Sequence, residues 1–316
     1  MRDPVLAVDR VVKRFGDKTT VDHVSFDVRP GEIMGFLGPN GAGKTTTLRM
    51  IMGILAPDQG RITFRLAGGD APQRGSRHAG AAGTLPAPLV GYLPEERGLY
   101  REARVLDILL FLASLKGLRG RAARTRALEW LERFGLGPQA HARVHQLSKG
   151  MAQKVQFIGA VLHEPRLVVL DEPFSGLDPV NQELFLNEIR RLAAEGCAVL
   201  LSSHQMNLVE ELCERIFLIH QGRRVVYGPL RDIKADYGVH RVRLLLRDAG
   251  WRLPSSSLVE SAEYDGPRAT LTLRAGVEPA AFLSSLPPGA PIEEISVARI
   301  SLHEIFVRIA REEAIA

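Results

Sequence analysis

Only two cysteines, Cys197 and Cys213, occur in 316 residues. Both sit in apolar surroundings and neither belongs to a C-x-x-C pair, so a disulfide framework or a cysteine-held metal is not expected. They read as small buried hydrophobes. Aromatic residues are scarce, at 6% of the chain, and none interleave with basic residues as base stacking on a single strand requires. Nucleic acid is therefore not an expected partner, despite a net charge of +5. The modest basic concentration at Arg119 to Arg126 reads as one solvated helix face. No run approaches the ~18 consecutive apolar residues of a membrane-crossing helix, and Met1-Arg2-Asp3-Pro4 does not open an apolar signal core. The expected location is the cytoplasm, unless another protein holds the chain at a membrane.

What is present is an ordinary globular composition, 45% hydrophobic and 24% charged. The length predicts one large core and a smaller second domain. Within the first part, Gly38-Pro39-Asn40-Gly41-Ala42-Gly43-Lys44-Thr45 fits G-x-x-x-x-G-K-[ST]. An apolar run at 33–37 reads as the strand before it, and a helical pattern at 45–55 follows, with Thr46 in its first turn. That context makes the stretch a phosphate-binding P-loop. Glycines let successive backbone N–H groups face phosphate oxygens, and the helix N-terminus adds about half a positive charge. Lys44 would reach the β- and γ-phosphates, and the Thr45 hydroxyl would ligate Mg²⁺.

Residues 5–12 and 21–28 alternate like strands of an antiparallel N-terminal sheet, joined by a turn at 13–17 that exposes Phe15. That ring is open to two readings, stacking on a planar ligand or packing against its own hairpin. A strand is expected at 60–64, and a long Gly, Ala and Pro-rich surface loop at 67–88. The run from Gly91 to Tyr100 ends a strand and enters a loop carrying Glu95 and Glu96. Helical patterns at 105–116 and 121–134 follow as an insert. Ser148 is placed to cap a helix running to about residue 162. An apolar strand at 166–170 then delivers Asp171 and Glu172, Ser175 to Pro179 form a tight loop, and a helix spans 181–195. A strand at 198–201 ends in Ser202-Ser203-His204. Alternating strands and helices mean α/β, with ligands at the carboxyl ends of parallel strands. Strands at 215–220 and 223–227 close this part. Beyond Gly228-Pro229, strands at 239–246 and 269–273, a short helix at 279–286 and a final helix within 295–310 predict a small α+β domain.

Asp171 and Glu172 at a strand end, after a P-loop, are the second half of a nucleotide-hydrolysing site. Asp171 would hold Mg²⁺ and Glu172 would polarise the attacking water as general base. Taken in order, Phe15, the P-loop, the loop at Glu95, Leu147-Ser148-Lys149-Gly150-Met151, Asp171-Glu172, Ser175-Gly176-Leu177-Asp178 and His204 resemble the motif set of ATP-binding cassette (ABC) ATPases over residues 4–228. The resemblance implies a P-loop NTPase core at 1–230, with an antiparallel N-terminal β subdomain and a helical insert at about 100–160, and a separate α+β domain at 231–316. It implies ATP as ligand, Phe15 against adenine, His204 on the γ-phosphate, and Ser148 and Gly150 contacting ATP held by a second ATP-binding subunit, identical or related. It also implies a membrane permease as partner, with this chain peripheral on the inner face of the membrane.

Two departures stand out. The family's Leu-Ser-Gly-Gly-Gln is here Leu147-Ser148-Lys149-Gly150-Met151, and the loop that usually carries a glutamine has Glu95, whose carboxylate would still ligate Mg²⁺ or a bound water. The run from Gly91 to Tyr100 and the stretch Ile300-Ser301-Leu302-His303-Glu304-Ile305-Phe306 are similar to a bacterial subgroup tied to sodium or drug export. The expected function is ATP hydrolysis driving an exporter; the alternative is a soluble ABC ATPase acting on nucleic acid or the ribosome.

Overall fold

The computed structural model describes residues 3–65, 85–96, 98–236, 239–274 and 276–315. They form two compact units, Met1–Gly228 and Pro229–Ala316. In the first, β1 (Leu6–Phe15) and β2 (Lys18–Val28) pair antiparallel, followed by β3 (Ile33–Leu37), α1 (Lys44–Ile51), β4 (Gln59–Phe64) and β5 (Val90–Leu93). Helices α2 (Val105–Leu115), α3 (Gly120–Arg133) and α4 (Lys149–Val161) come next. The unit then completes β6 (Leu167–Asp171), α5 (Pro179–Ala194), β7 (Ala198–Ser202), α6 (Met206–Leu212), β8 (Arg215–His220) and β9 (Arg223–Pro229).

Strands β3, β6 and β7 are buried at every position and apolar except for the terminal Asp171 of β6 and Ser202 of β7. That is the pattern of strands covered on both faces, and they lie inside a sheet ordered β5-β6-β7-β3-β8-β9. The pairs β5/β6, β6/β7, β7/β3 and β3/β8 are parallel, so their carboxyl ends share one edge. Asp171 and Ser202 are register partners at that edge. A second sheet, β2-β1-β4, is antiparallel. Phe26 of β2 meets Phe36 of β3 and Phe217 of β8 with ring centroids 5.1–5.3 Å apart, which fuses the two sheets into one core. Truncating one such ring to alanine typically costs about 3–5 kcal/mol. Arg215 strengthens the same seam from its edge, bonding Glu32 at 2.9 Å, Asp27 at 3.2 Å and Tyr227. These acids hold its guanidinium charged although burial opposes the charge.

The insert is tied to the core through Trp130 of α3. Arg133 and Arg191 lie over its ring at 5.0 and 5.2 Å, and both bond the largely buried Glu188 of α5. Both cysteines are buried and unbridged, and burial pushes the Cys197 thiol up to about 12.

Several boundaries differ from the sequence expectation. The turn expected at 13–17 is smaller, because β1 continues to Phe15 and pairs it with Lys18. Helix α1 stops at Ile51 rather than 55, since the N–H groups of Ile54 and Leu55 turn back onto Arg49 O. Helix α5 begins two residues early: Asp178 caps it, accepting from Asn181 N at 2.9 Å, with Pro179 at the first position. The loop expected at 67–88 lies outside the described residues up to 84, and Arg97 is outside them too.

The second unit holds α7 (Leu230–Asp236), β10 (His240–Leu246), β11 (Val259–Asp265), β12 (Arg268–Leu273), α8 (Pro279–Ser284), β13 (Ile292–Arg299) and α9 (Leu302–Ile315). Its antiparallel sheet runs β11-β12-β10-β13. Val242, Leu244, Leu246, Leu271, Leu273 and Phe282 make a separate core.

Candidate functional site

The loop between β3 and α1 is built against its neighbours. A Cβ at Gly38 would sit 2.3 Å from Ile219 O, and one at Gly43 would sit 2.7 Å from Thr20 O. Gly43 also has φ +105, a conformation side chains resist. No side chain caps α1, so the first-turn N–H groups at Lys44, Thr45 and Thr46 face outward at the positive end of the helix. Lys44 is buried, and its ammonium curls over the loop to donate to Gly38 O at 2.8 Å and Pro39 O at 3.2 Å.

Opposite stand the carboxylates at the end of β6. Ser202 Oγ donates to Asp171 Oδ1, while Asp171 Oδ2 is buried with no hydrogen-bond partner. Glu172 departs from ordinary backbone geometry, with φ +51, and its N–H donates to Ser202 O at 3.1 Å. Such a conformation costs of order 1–3 kcal/mol and persists only where the surroundings enforce it. From this backbone the Glu172 side chain meets His204, whose Nδ1 lies 2.7 Å from Oε2. Burial raises both carboxyl pKa values above the usual range, opposed by Ser202 at Asp171 and by His204 at Glu172.

A cavity of about 310 Å³ joins the two walls. It is lined by Pro39, Asn40, Gly41, Gly43, Lys44, Thr45 and Thr46 on one side and by Glu95, Asp171 and Glu172 on the other. Thr20, which the sequence reading passed over, completes it from β2. Gly38 and Ala42 are loop residues outside the lining, and His204 reaches the site through Glu172. Phe15, Ser148 and Gly150 do not line the cavity. Phe15 ends β1 with 51% of its surface exposed. Ser148 caps α4, accepting from Met151 N at 3.2 Å, and is exposed. One lysine thus faces three carboxylates, an arrangement suited to a phosphate chain that arrives with a cation. The unpartnered Asp171 Oδ2, with the oxygens of Thr45 and Glu95, is the hard donor type Mg²⁺ takes.

Comparison with known proteins agrees with this geometry. Residues 21–175 match the ABC transporter family model. The chain is 45% identical over 240 residues to an uncharacterized ABC transporter ATP-binding protein, YhaQ, of Bacillus subtilis (strain 168), covering 76% of each chain. The chain belongs to the ABC transporter ATP-binding proteins. Residues 228–310 match the C-terminal domain of DrrA1-3-like ATP-binding proteins. A Nod factor export ATP-binding protein I of Paraburkholderia xenovorans (strain LB400) is 38% identical over 268 residues, or 84% of this chain and 85% of that one. A solved ATP-binding subunit of an ABC transporter superposes with TM-score 0.64 and 32% identity, covering 74% of this chain and 93% of its own. As an ABC transporter ATPase, the protein hydrolyses ATP to drive transport through a separate permease. The soluble nucleic-acid alternative finds no support in these relatives. Among the described residues no helix is long and apolar enough to cross a membrane.

Proposed function

We propose that the cavity is one half of a composite ATP site and that a second ATP-binding subunit, identical or related, completes it. The observation that carries this reading is a division of the motif residues. Lys44, Thr45, Glu95, Asp171 and Glu172 converge on one cavity, whereas Ser148 and Gly150 at the start of α4 do not. Ser148 satisfies one first-turn N–H of α4, and the N–H groups ahead of it, at Lys149 and Gly150, stand at the positive helix end where the phosphates of ATP on another subunit would bind.

In this scheme the loop amides and Lys44 hold the phosphates, and exposed Phe15 stacks on adenine. Thr45, Asp171 and Glu95 would hold Mg²⁺, which when bound screens the phosphate charge and polarises the γ-phosphoryl group. Among the described residues no three His, Cys, Asp or Glu side chains cluster as a metal site by themselves, which fits a cation whose remaining ligands come from phosphate and water. Glu172 takes a proton from the attacking water, its raised pKa strengthening it as a base, and His204 fixes its orientation and meets the γ-phosphate.

The ATPase acts as residues 1–230, with the helical insert at about 100–160 and the loop at Glu95 meeting the permease at the inner face of the membrane. Residues 231–316 act as an accessory domain. The direction is outward, as the name of the Paraburkholderia relative suggests for that protein, with sodium, a drug or another small solute as cargo. Purification of the tagged chain from a membrane fraction tests the partner class. Recovery of a multi-span protein supports the reading, and recovery only with ribosomes or DNA overturns it.

A further inference from the structure

Two buried glutamines of α4, Gln153 and Gln156, each donate to the backbone carbonyl of the residue that follows a cavity carboxylate. Gln153 Nε2 reaches Pro173 O, next to Glu172, at 3.1 Å, and Gln156 Nε2 reaches Glu96 O, next to Glu95, at 3.1 Å. Positions three apart share a helix face, so one face of α4 meets both loops.

The two bonds are not equivalent. Glu172 is also held by its own N–H on Ser202 O and by His204. Glu95 has no such support. Among the described residues, the bond from Gln156 is the one hydrogen bond made by the segment from Glu95 to Leu99, and both glutamates there are exposed. The helix also grips the strand that leads to them: a Cβ at Gly91 would sit 2.0 Å from Ala160 O, and His163 Nε2 lies 3.3 Å from Val90 O. Helix α4 thus holds β5 before Glu95 and the backbone just after it. Packing alone does not account for a glutamine here. Its Oε1 is buried with no partner among the described residues, a cost that an apolar side chain of similar length would not carry.

We propose that Gln156 is a positioning residue for Glu95, pinning the loop after β5 to α4 so that the carboxylate stays in the cavity. Glu95 lines that cavity and stands close enough to Asp171 to disfavour its ionisation. Gln156 is not part of the lining and acts only through the Glu96 carbonyl. Its effect on turnover rests on Glu95 being a ligand for Mg²⁺, as proposed above.

Gln156→Met removes the donor together with the unpartnered Oε1, and Glu96 O can turn to water, so urea unfolding should move little. Gln156→Asn, one methylene short of Glu96 O, is the second variant should methionine disturb the fold. In the full chain without nucleotide, a nitroxide label on Glu96→Cys should give a more mobile spectrum with either substitution, while the same label on Glu129→Cys of α3 should not change. The buried native cysteines confine labelling to the introduced site. In turnover, Gln156→Met should raise the Mg²⁺ concentration for half-maximal rate by about three- to tenfold, the range one net hydrogen bond covers, and should add nothing in a Glu95→Ala background. An unchanged spectrum at Glu96→Cys, or a penalty that persists in full without the Glu95 carboxylate, overturns the proposal. If Glu95→Ala itself leaves the Mg²⁺ requirement unchanged, the ligand role of Glu95 is what fails, and the label spectra alone uphold or overturn the anchor.

Discussion

His204 Nδ1 lies 2.7 Å from Glu172 Oε2, and Glu172 makes that contact from a left-handed backbone conformation. A buried carboxylate in strained geometry, with its pKa raised by burial and one histidine partner, is equipped to accept a proton.

Replacing Glu172 with glutamine should slow ATP turnover by about 10²- to 10⁴-fold, the usual worth of a general base. Nucleotide affinity should change little, because the loop and Lys44 remain. Single-turnover hydrolysis and equilibrium binding of a fluorescent ATP analogue separate the two quantities, and near-normal turnover would remove Glu172 from its role.

Lys44→Ala should lose nucleotide binding. The ammonium that bonds Gly38 O and Pro39 O is, among the described residues, the one cation lining a cavity with three carboxylates. Without it every charged group left among the described lining residues is an acid. Titration with Mg²⁺-ATP checks this, and unchanged affinity would sink the phosphate assignment.

Glu95→Gln should make ATP binding less dependent on the divalent ion. Glu95 adds a negative charge to the cavity and disfavours ionisation of Asp171 through space. Its neutralisation should strengthen ATP binding in chelator by about five- to tenfold, the roughly 1 kcal/mol that two charges a few ångströms apart exert under water-like screening in an open cavity. It should also weaken Mg²⁺ uptake into the ATP-loaded protein. Both are read by isothermal calorimetry.

How much of this was legible beforehand depended on whether a residue's role is local. The P-loop, the Asp171-Glu172 pair and the capping Ser148 are fixed by strand, turn and helix chemistry within a dozen residues, and the structure has them where the sequence puts them. Thr20 lines the cavity only because β2 passes beside Gly43, a long-range packing fact with no local signature. Ser202 was visible at a strand end, but its bond to Asp171 depends on β6 and β7 being neighbours. Strand β11, Val259–Asp265, escaped notice because Val-Glu-Ser-Ala-Glu-Tyr-Asp has no apolar alternation and buries no side chain fully. Helices α6 and α7 have seven residues each, too few to establish a period.

His163 offers a test of packing away from the cavity. Burial, with Lys116 nearby, lowers its pKa from 6.5 to about 4. The unfolded chain therefore binds a proton between those values that the folded chain refuses, so stability falls as pH drops from 6.5 towards 4 and is unaffected by this group above that window. The loss should be on the order of 2 kcal/mol, since one unit is worth about 1.4 kcal/mol and the ring is partly open to solvent. Urea unfolding across pH should show it, and His163→Gln should flatten that part of the profile. An unchanged slope in the variant would contradict the assignment.

The composite site is tested most directly by complementation. Two forms of the chain, both carrying Glu172→Gln to prevent turnover, bear either Lys44→Ala or Ser148→Arg. Each alone lacks one half of every site, but a mixed dimer has one site with both halves intact. Retention of radiolabelled ATP through gel filtration is the measurement. The account predicts negligible retention for either form alone and clear retention for the mixture; ATP held by the Ser148→Arg form alone as firmly as by the parent would show that one chain makes the whole site.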